Sequence, residues 1–278
     1  MTETVGPAWV DAGPFPEGHT LTGHFNILRD FRSRVLGNTR HVFVYLPPGY
    51  DQSPHRRYPV LYMQDGQNLF DPGLSFIRGQ DWRLDETAQW LIETGQIEPL
   101  MIVGVDHAGV GRAAEFAPTH DARRGEGGRA DAYGVMLTTE LKPWIDARYR
   151  TRPDAASTGL GGSSMGGLVS LFLALTRADT FGRAAVMSPS LWWDRRHVIA
   201  LARAIERKPD VRIWLDCGSS EGFSTLQNVR ILKNVLVRHG WSHGADLRYL
   251  EVPGGRHTER DWGARAGEML KFLFPLGS

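Results

Sequence analysis

The chain has 278 residues, and its 32 Lys and Arg nearly balance its 31 Asp and Glu, which gives a formal net charge of +1. This balance excludes the strongly basic surface with which nucleic-acid-binding proteins contact phosphates. The only cysteine, Cys217, excludes an internal disulfide and a cysteine-rich zinc site.

The first half of the chain begins with an arm, residues 1 to about 20, whose Pro and Gly content predicts irregular structure. This arm lacks the basic and apolar regions of a signal peptide, and no apolar run reaches the ~18 residues of a membrane span. We therefore expect a cytoplasmic protein that does not enter a membrane. Residue patterns then predict strands over 40–46, 58–63 and 100–105, a helix over 84–93, and a loop over 106–131.

The second half of the chain alternates strands with helices. Strands are expected over 155–160, 183–187, 211–215 and 247–252, and helices over 135–145, 168–175, 197–205, 226–237 and 262–272. Such alternation predicts an α/β fold in which a mostly parallel sheet is covered by helices on both faces. Because no repeat or linker divides the chain, we expect residues 1–278 to form one domain. In such sheets the reactive site lies off the carboxyl ends of the strands.

A Gly-x-Ser-x-Gly pattern, from Gly162 to Gly166, makes Ser164 the candidate nucleophile and leaves Ser163 as a structural neighbour. A strand is predicted before this pattern and a helix after it. That context is typical of a nucleophile elbow, a tight turn that exposes the serine above the sheet, near the positive end of the helix. The flanking glycines would let strand and helix approach closely. The alternative is a glycine-rich turn whose serine only caps the helix.

A serine hydroxyl needs a histidine to accept its proton, and position along the chain selects one of the ten histidines. In hydrolases with this elbow the order is Ser, acid, His, and the histidine follows the last strand. His257 follows the last predicted strand and precedes the last predicted helix. His239 and His243 come before that strand, at the wrong end of the sheet. His107 precedes the serine and is a candidate lining residue.

The acid that orients the histidine should follow the predicted strand 211–215. Glu221, Asp216 and Asp194 compete for this role. Glu221 lies in a loop that can turn it toward His257, whereas Asp216 should still lie within the strand, where register decides its direction. We therefore favour Glu221, with a plain carboxylate at the start of a helix as its alternative role.

Five motifs occur together in one order along the chain: YPVLYMQDGQNLFD (58–71), GGSSMGG (161–167), SPSLWWD (188–194), WLDCGSSEG (214–222) and GGRHTERDW (254–262). Through them the chain, from about residue 40 onward, resembles the putative-esterase branch of the α/β-hydrolase superfamily. This branch includes enterochelin-type siderophore esterases, feruloyl and acetylxylan esterases, S-formylglutathione hydrolases and mycolyltransferases. The resemblance implies an α/β-hydrolase fold.

The resemblance also implies roles for individual residues. Ser164, Glu221 and His257 would form a catalytic triad. The backbone N–H groups of Met165 and Gln67 would form the oxyanion hole. The residues that could line the substrate pocket are Trp192, Trp193, Arg112 and His107.

Alternatives stay open for these lining residues. The two tryptophans could equally be core aromatics. Arg112 could brace its own loop by pairing with Glu115 rather than contact substrate. The arginines at 112, 123, 124 and 129 hint at an anionic or phenolic substrate, although a solvated loop explains them equally well.

The residues and the resemblance together lead us to expect a serine esterase. It would hydrolyse a small-molecule carboxylic ester through an acyl-enzyme and would require no metal or cofactor. An acyltransferase is one alternative, because an alcohol can replace water with the same triad. A binding protein that retains the fold without activity is the other.

Overall fold

The computed structural model describes residues 9–11 and 20–277. Its strands are β1 (Trp9–Asp11), β2 (His24–Arg32), β3 (Thr39–Leu46), β4 (Val60–Gln64), β5 (Met101–Val105), β6 (His120–Asp121), β7 (Glu126–Gly127), β8 (Thr158–Ser163), β9 (Arg183–Met187), β10 (Arg212–Gly218) and β11 (Leu247–Val252). Its α-helices are α1 (Leu84–Glu93), α2 (Arg112–Phe116), α3 (Ala130–Met136), α4 (Lys142–Arg148), α5 (Met165–Thr176), α6 (His197–Arg203), α7 (Phe223–Arg238) and α8 (Glu259–Leu273).

Nine of the strands described form one sheet in the order β1-β2-β3-β5-β4-β8-β9-β10-β11, and β6 pairs with β7 in a separate hairpin. The pairs from β5 through β11 are all parallel, whereas β1, β2 and β3 join the sheet in antiparallel fashion. The expected mostly parallel sheet is therefore confirmed. The carboxyl ends of β4, β8, β9, β10 and β11 all meet at one edge, and this edge carries the candidate site.

Helices cover both faces of the sheet, as the alternation predicts. Along β4, Val60 and Tyr62 belong to the hydrophobic core on one face, and Leu61 and Met63 belong to the core on the other. The first core includes buried residues of α3 to α7, and the second includes those of α1 and α8. Since each strand residue alternates between faces, this arrangement buries the central strands completely. No helix in the described part of the chain is long and apolar enough to cross a membrane.

Several predicted elements agree closely with the structure, and others differ for local reasons. The strands 183–187 and 247–252 and the helix 84–93 are confirmed with the same bounds. The strand expected at 155–160 begins only at Thr158, because the Asp154 side chain accepts a hydrogen bond from Ser157 N and caps a short 3₁₀ turn. The helix expected at 135–145 is divided by a π-helical turn, Leu137–Leu141, between α3 and α4.

Two regions expected to be irregular contain regular structure. The predicted loop 106–131 holds the helix α2, the hairpin β6–β7 and the start of α3. Within the predicted N-terminal arm, residues 9–11 form the strand β1, which pairs with β2. The remainder of that arm, apart from residue 20, lies outside the described residues.

Candidate active site

Ser164 lies in the tight turn between β8 and α5, with φ 56° and ψ −119°. This conformation is strained for a residue with a side chain, and such strain is a property of nucleophile elbows. The glycines beside it permit the turn, because a Cβ on Gly162 would lie 3.0 Å from the carbonyl carbon of Gly166. Ser164 N donates to Met187 O at 3.0 Å, which ties the turn to the neighbouring strand β9.

The Ser164 hydroxyl is partly exposed, and its Oγ lies 3.2 Å from Ser190 Oγ, within hydrogen-bond distance. Ser190 N in turn donates to Ser164 O at 3.0 Å, so the segment after β9 holds the nucleophile turn from the side. Ser163, by contrast, is buried at the end of β8 opposite Met187. The two adjacent serines therefore differ: the first belongs to the sheet and the second is available for chemistry.

His257 and Glu221 are joined by a hydrogen bond of 2.7 Å between Nδ1 and Oε2. His257 follows β11 and has 43% of its side chain exposed, whereas the Glu221 side chain is fully buried. The loops that carry them pack tightly because residue 218 is a glycine: a Cβ there would overlap the Gly255 carbonyl and lie 2.9 Å from Glu221 Oε1. An exposed imidazole is thus held by a buried carboxylate.

The Glu221 carboxylate receives two further hydrogen bonds, from Ser188 Oγ at 2.6 Å and from Gly218 N at 2.7 Å. Burial acts to raise the pKa of this carboxyl, but the bonds from His257, Ser188 and Gly218 outweigh burial, and the pKa is lowered. Glu221 therefore stays ionised at neutral pH. Because an ionised carboxylate only accepts hydrogen bonds, His257 Nδ1 carries the shared proton, and in a neutral imidazole Nε2 is then the acceptor.

A second group of side chains, which sequence reasoning missed, supports this pair. Ser188 Oγ accepts hydrogen bonds from Trp262 Nε1 and from Arg265 Nη2, both at 3.0 Å. The Trp262 ring also packs edge-on against the His257 imidazole, with 4.8 Å between centroids. Ser188 directly follows Met187, whose carbonyl oxygen accepts the hydrogen bond from Ser164 N. Trp262 and Ser188 therefore connect His257 with the segment that holds the Ser164 turn. Among the hydrogen bonds of the described residues, none joins Ser164 directly to His257.

Asp216, the competing candidate acid, lies inside β10 as expected and its side chain is fully buried. Its Oδ1 lies 3.2 Å from Arg265 Nη2, and its Oδ2 accepts from Trp214 Nε1 at 2.7 Å. Burial raises the pKa of Asp216 to about 6. Asp194 lies after β9 beside Trp193, in a left-handed conformation with φ 38°. Of the three candidate acids, Glu221 is the one in contact with His257.

The loop after β4 carries the expected second oxyanion-hole donor, Gln67. The loop starts at Asp65, whose backbone is left-handed with φ 58°. Arg112 donates two hydrogen bonds of 2.7 Å to the Asp65 carboxylate. The pairing of Arg112 with Glu115 that the sequence suggests is wrong, because Glu115 instead binds the buried Arg40 at 2.9 Å. Arg112 therefore braces the loop that carries Gln67.

The two expected N–H donors have different surroundings. Met165 is the first residue of α5, so its N–H has no acceptor within the helix. The N–H of Gln67 lies beside Asp106: burial and the Asp65 carboxylate raise the pKa of Asp106 to about 7, while Arg40 and this N–H oppose the increase. The side-chain amide of Gln67 is buried and has no hydrogen-bond partner among the described residues.

The remaining candidate lining residues, His107, Trp192 and Trp193, differ in their exposure to solvent. His107 is half-buried after β5, where its Nδ1 accepts from Gly109 N at 2.9 Å, and burial lowers its pKa. Trp192 is 41% exposed, whereas Trp193 is 2% exposed and donates from its indole to Thr119 O at 3.0 Å. Trp193 is thus a buried aromatic rather than a pocket wall. In the described part of the chain, no group of three or more His, Cys, Asp or Glu side chains is arranged to hold a metal ion.

Comparison with known proteins identifies the family of the chain. Residues 33–273 match the model of the Esterase family, described as "Putative esterase". The curated relative YbbA of Bacillus subtilis, itself uncharacterized, is 28% identical over 198 residues, which cover 67% of this chain and 70% of YbbA. Ferri-bacillibactin esterase BesA of the same organism is 27% identical over 187 residues, 62% of this chain and 61% of BesA.

A solved structure shows the same fold. The BES protein from Bacillus cereus superposes with a TM-score of 0.74 over 95% of this chain and 99% of its own, at 21% sequence identity. The family match identifies the family, and the superposition together with the parallel sheet identifies the fold. The chain belongs to the Putative esterase family, and it is a carboxylic ester hydrolase with the α/β-hydrolase fold.

Proposed function

We propose that this esterase works through an acyl-enzyme formed on Ser164, with His257 as the general base and Glu221 as the residue that orients it. The observation that carries the proposal is the hydrogen bond between the exposed His257 and the buried, ionised Glu221, at the same edge of the sheet as the strained elbow of Ser164. A serine, a base and an orienting acid are the three groups that acyl transfer requires. The substrate is a small-molecule carboxylic ester.

In the first half-reaction Ser164 Oγ attacks the ester carbonyl carbon while its proton passes to His257 Nε2. For this the hydroxyl turns from Ser190, its partner at 3.2 Å, toward the imidazole. The imidazolium that forms is stabilised by the Glu221 carboxylate, which is ionised although its side chain is fully buried. The imidazolium then protonates the departing alcohol, and the acyl group remains on Ser164. Water, activated by the same histidine, releases the acid in the second half-reaction.

The negative oxygen of the tetrahedral intermediate needs donors that are already in place. The N–H of Met165 fits this role because it begins α5, where the helix supplies no acceptor and adds the positive end of its dipole. We assign the second donor to the N–H of Gln67, on the loop that Arg112 braces through Asp65. Binding of the oxyanion there would draw this N–H away from Asp106.

The test is hydrolysis of p-nitrophenyl acetate and p-nitrophenyl butyrate by the wild type, Ser164→Ala and Ser163→Ala. We expect Ser164→Ala to reduce kcat by a factor on the order of 10⁴ or more. Ser163→Ala is the matched control, because the Ser163 hydroxyl is buried in β8. This substitution is expected to leave kcat nearly unchanged. Labelling by a fluorophosphonate should occur in the wild type and be lost only in Ser164→Ala.

Equal activity of the wild type and Ser164→Ala would show that another residue is the nucleophile. A single burst of p-nitrophenol without turnover would indicate that the acyl-enzyme forms but is not released by water. Repeating the assay with an added acceptor alcohol then separates hydrolysis from acyl transfer, because a transferase would form a new ester at the expense of free acid.

A further inference from the structure

A cleft of ≈ 540 Å³ lies between the hairpin β6–β7 and the chain that follows β9, and neither the triad nor the expected oxyanion hole uses it. Its charged and aromatic lining comprises Arg123, Arg124, Arg195, His120 and Trp192, together with Asp121 and Asp194. The residues come from two separate segments, the hairpin β6–β7 and the chain that follows β9. The cleft is thus built by tertiary structure rather than by one loop.

The cleft is close to the reacting serine. Ser190 Oγ lies 3.2 Å from Ser164 Oγ, and Trp193 N donates to Ser190 O at 3.1 Å. Trp192, the aromatic residue of the cleft, is two residues after Ser190, so the Cα atoms of the two residues are at most about 7 Å apart. An ester whose carbonyl is at Ser164 could therefore extend an attached group of modest size into the cleft.

The three arginines of the cleft outnumber its two acidic residues, Asp121 and Asp194, so its net charge favours an anion. Arg124 is partly balanced by Asp121, 3.6 Å away, and its guanidinium stacks over the Trp192 ring at 4.4 Å. Arg123 and Arg195 are exposed and have no ion-pair partner among the described residues. Two guanidinium groups are therefore available to a ligand next to an indole that a ring can stack against.

The four arginines that the sequence analysis singled out do not all serve this cleft. Arg112 is bound to Asp65 by two hydrogen bonds, and Arg129 donates to Leu36 O at 3.2 Å. Only Arg123 and Arg124 line the cleft, and Arg195, from a distant part of the sequence, joins them. The backbone at Asp194, Arg195 and Arg196 is left-handed, with φ values of 38°, 54° and 68°. This conformation is strained for residues with side chains, and it sets the backbone position of Arg195.

We propose that this cleft binds an anionic aromatic group of the ester, with Arg123 and Arg195 contacting the negative charge and Trp192 stacking on the ring. The proposal rests on the proposed function, because it treats Ser164 as the reacting residue. It adds a substrate class: aryl esters that carry a carboxylate or similar anion, on either the acyl or the alcohol side.

The test uses two matched pairs of esters in which a carboxylate is replaced by a neutral amide. In 4-acetoxybenzoate against 4-acetoxybenzamide the charge is on the leaving phenol. In monomethyl terephthalate against methyl 4-carbamoylbenzoate it is on the acyl group. We expect the wild type to prefer the carboxylate in one pair, with kcat/KM roughly tenfold higher, and the pair that shows this preference identifies the side of the ester that enters the cleft.

The double variant Arg123→Gln/Arg195→Gln should lose this preference, so that the carboxylate and amide esters of the pair react with similar kcat/KM. Arg29→Gln is the matched control, because Arg29 is an exposed arginine on β2, at the far side of the sheet. Trp192→Leu should reduce kcat/KM for both members of the preferred pair. The proposal is overturned if the wild type shows no carboxylate preference in either pair, or if the double variant keeps it. An unchanged rate in Trp192→Leu would overturn the aromatic contact.

Failure of the proposed function would look different. In that case the wild type would hydrolyse the neutral esters no faster than Ser164→Ala. The cleft would then be tested by calorimetric titration of Ser164→Ala with 4-hydroxybenzoate and with 4-hydroxybenzamide, which requires no turnover. Binding of the carboxylate alone, lost when Arg123 and Arg195 are also replaced, would support the cleft as an anion site. Equal binding of both compounds would overturn it.

Discussion

The buried hydroxyl of Ser188 donates a 2.6 Å hydrogen bond to Glu221, the same carboxylate that holds His257. Ser188 also accepts hydrogen bonds from Trp262 and Arg265, so its one oxygen joins three elements, the end of β9, the loop after β10 and the helix α8. Because Trp262 packs against the imidazole, the hydroxyl influences His257 from two directions. Ser188 is therefore a positioning residue for the proposed base.

We predict that Ser188→Ala lowers both activity and stability. Loss of this acceptor leaves the indole N–H of Trp262 buried without a partner, which should reduce the free energy of unfolding by about 1–3 kcal/mol. Glu221 also loses one of the bonds that lower its pKa, so activity should fall more at about pH 5 than at about pH 8. Chemical denaturation and a pH profile of kcat/KM measure the two effects.

Ser170→Ala is the control for that variant. Ser170 is equally buried, but its hydroxyl has no hydrogen-bond partner among the described residues. Its replacement should leave the pH profile unchanged and be neutral or slightly stabilising. If both serine variants behave alike, the hydrogen bonds of Ser188 do not matter for the site.

Arg112 provides a second prediction, on the oxyanion side of the site. A lysine cannot reproduce the two parallel hydrogen bonds to Asp65, so Arg112→Lys should loosen the turn that carries Gln67. We expect kcat to fall by roughly tenfold with little change in KM, because an oxyanion donor acts mainly in the transition state. Steady-state kinetics with p-nitrophenyl acetate measures both constants.

Arg177→Lys is the matched control, since Arg177 binds Asp131 at 2.6 Å at a pair remote from Ser164. It should leave kcat and KM as in the wild type. A wild-type kcat in Arg112→Lys would contradict the role of Arg112, and a rise in KM alone would indicate that this arginine contacts the substrate instead.

Sequence patterns predicted the sheet well where strands are buried on both faces and connected by helices, as at β5 and β9. They missed β2, the strand His24–Arg32. Its pairing with β3 shifts between Leu28 and Phe31, and Asp30 between them is left-handed with φ 56°. This bulge interrupts the alternation of buried and exposed residues, so the period of two that identifies a strand is lost.

The candidate triad was predictable because each of its members follows a predicted strand. The supporting residues were not, since their contacts join positions far apart in the chain. Ser188 meets Trp262 and Arg265 across 74 and 77 residues, and no local pattern signals such a contact. The same is true of the cleft, where Arg195 comes beside Arg123 only through folding. Sequence thus identified the candidate triad, and tertiary packing identified the residues that support it.

Asp216 leads to a prediction about stability and pH. Burial raises its pKa from 3.8 to about 6, so the folded state prefers the protonated carboxyl. The associated stabilisation is complete below about pH 4 and is lost as pH rises through about 6, a change of about 3 kcal/mol for this shift. Asp216→Asn cannot titrate and lacks this dependence. The unfolding free energy of the wild type relative to Asp216→Asn should therefore decrease between about pH 4 and pH 7.

Denaturant unfolding at several pH values measures that difference. The slope of the difference with pH, rather than its size, is the test, because Asp216→Asn also removes the contact with Arg265. Asp210→Asn, at an exposed position before β10, should follow the wild type at every pH. Parallel curves for the wild type and Asp216→Asn would show that folding does not change the pKa of Asp216.

Gly218 gives the final prediction, because it controls the approach of the acid loop to the histidine loop. A Cβ at this position would overlap the backbone carbonyl of Gly255 and come within 2.9 Å of Glu221 Oε1, so Gly218→Ala must push the two loops apart. We expect kcat/KM to fall by about 10- to 100-fold as His257 loses its orientation, and stability to fall by about 1–3 kcal/mol. Gly267→Ala is the control: on α8 its Cβ would make an ordinary contact, 3.5 Å from Thr87 Cγ2, and should stabilise the helix by up to about 1 kcal/mol without affecting the rate. A Gly218→Ala variant with the wild-type rate would show that the hydrogen bond between His257 and Glu221 does not depend on this close packing.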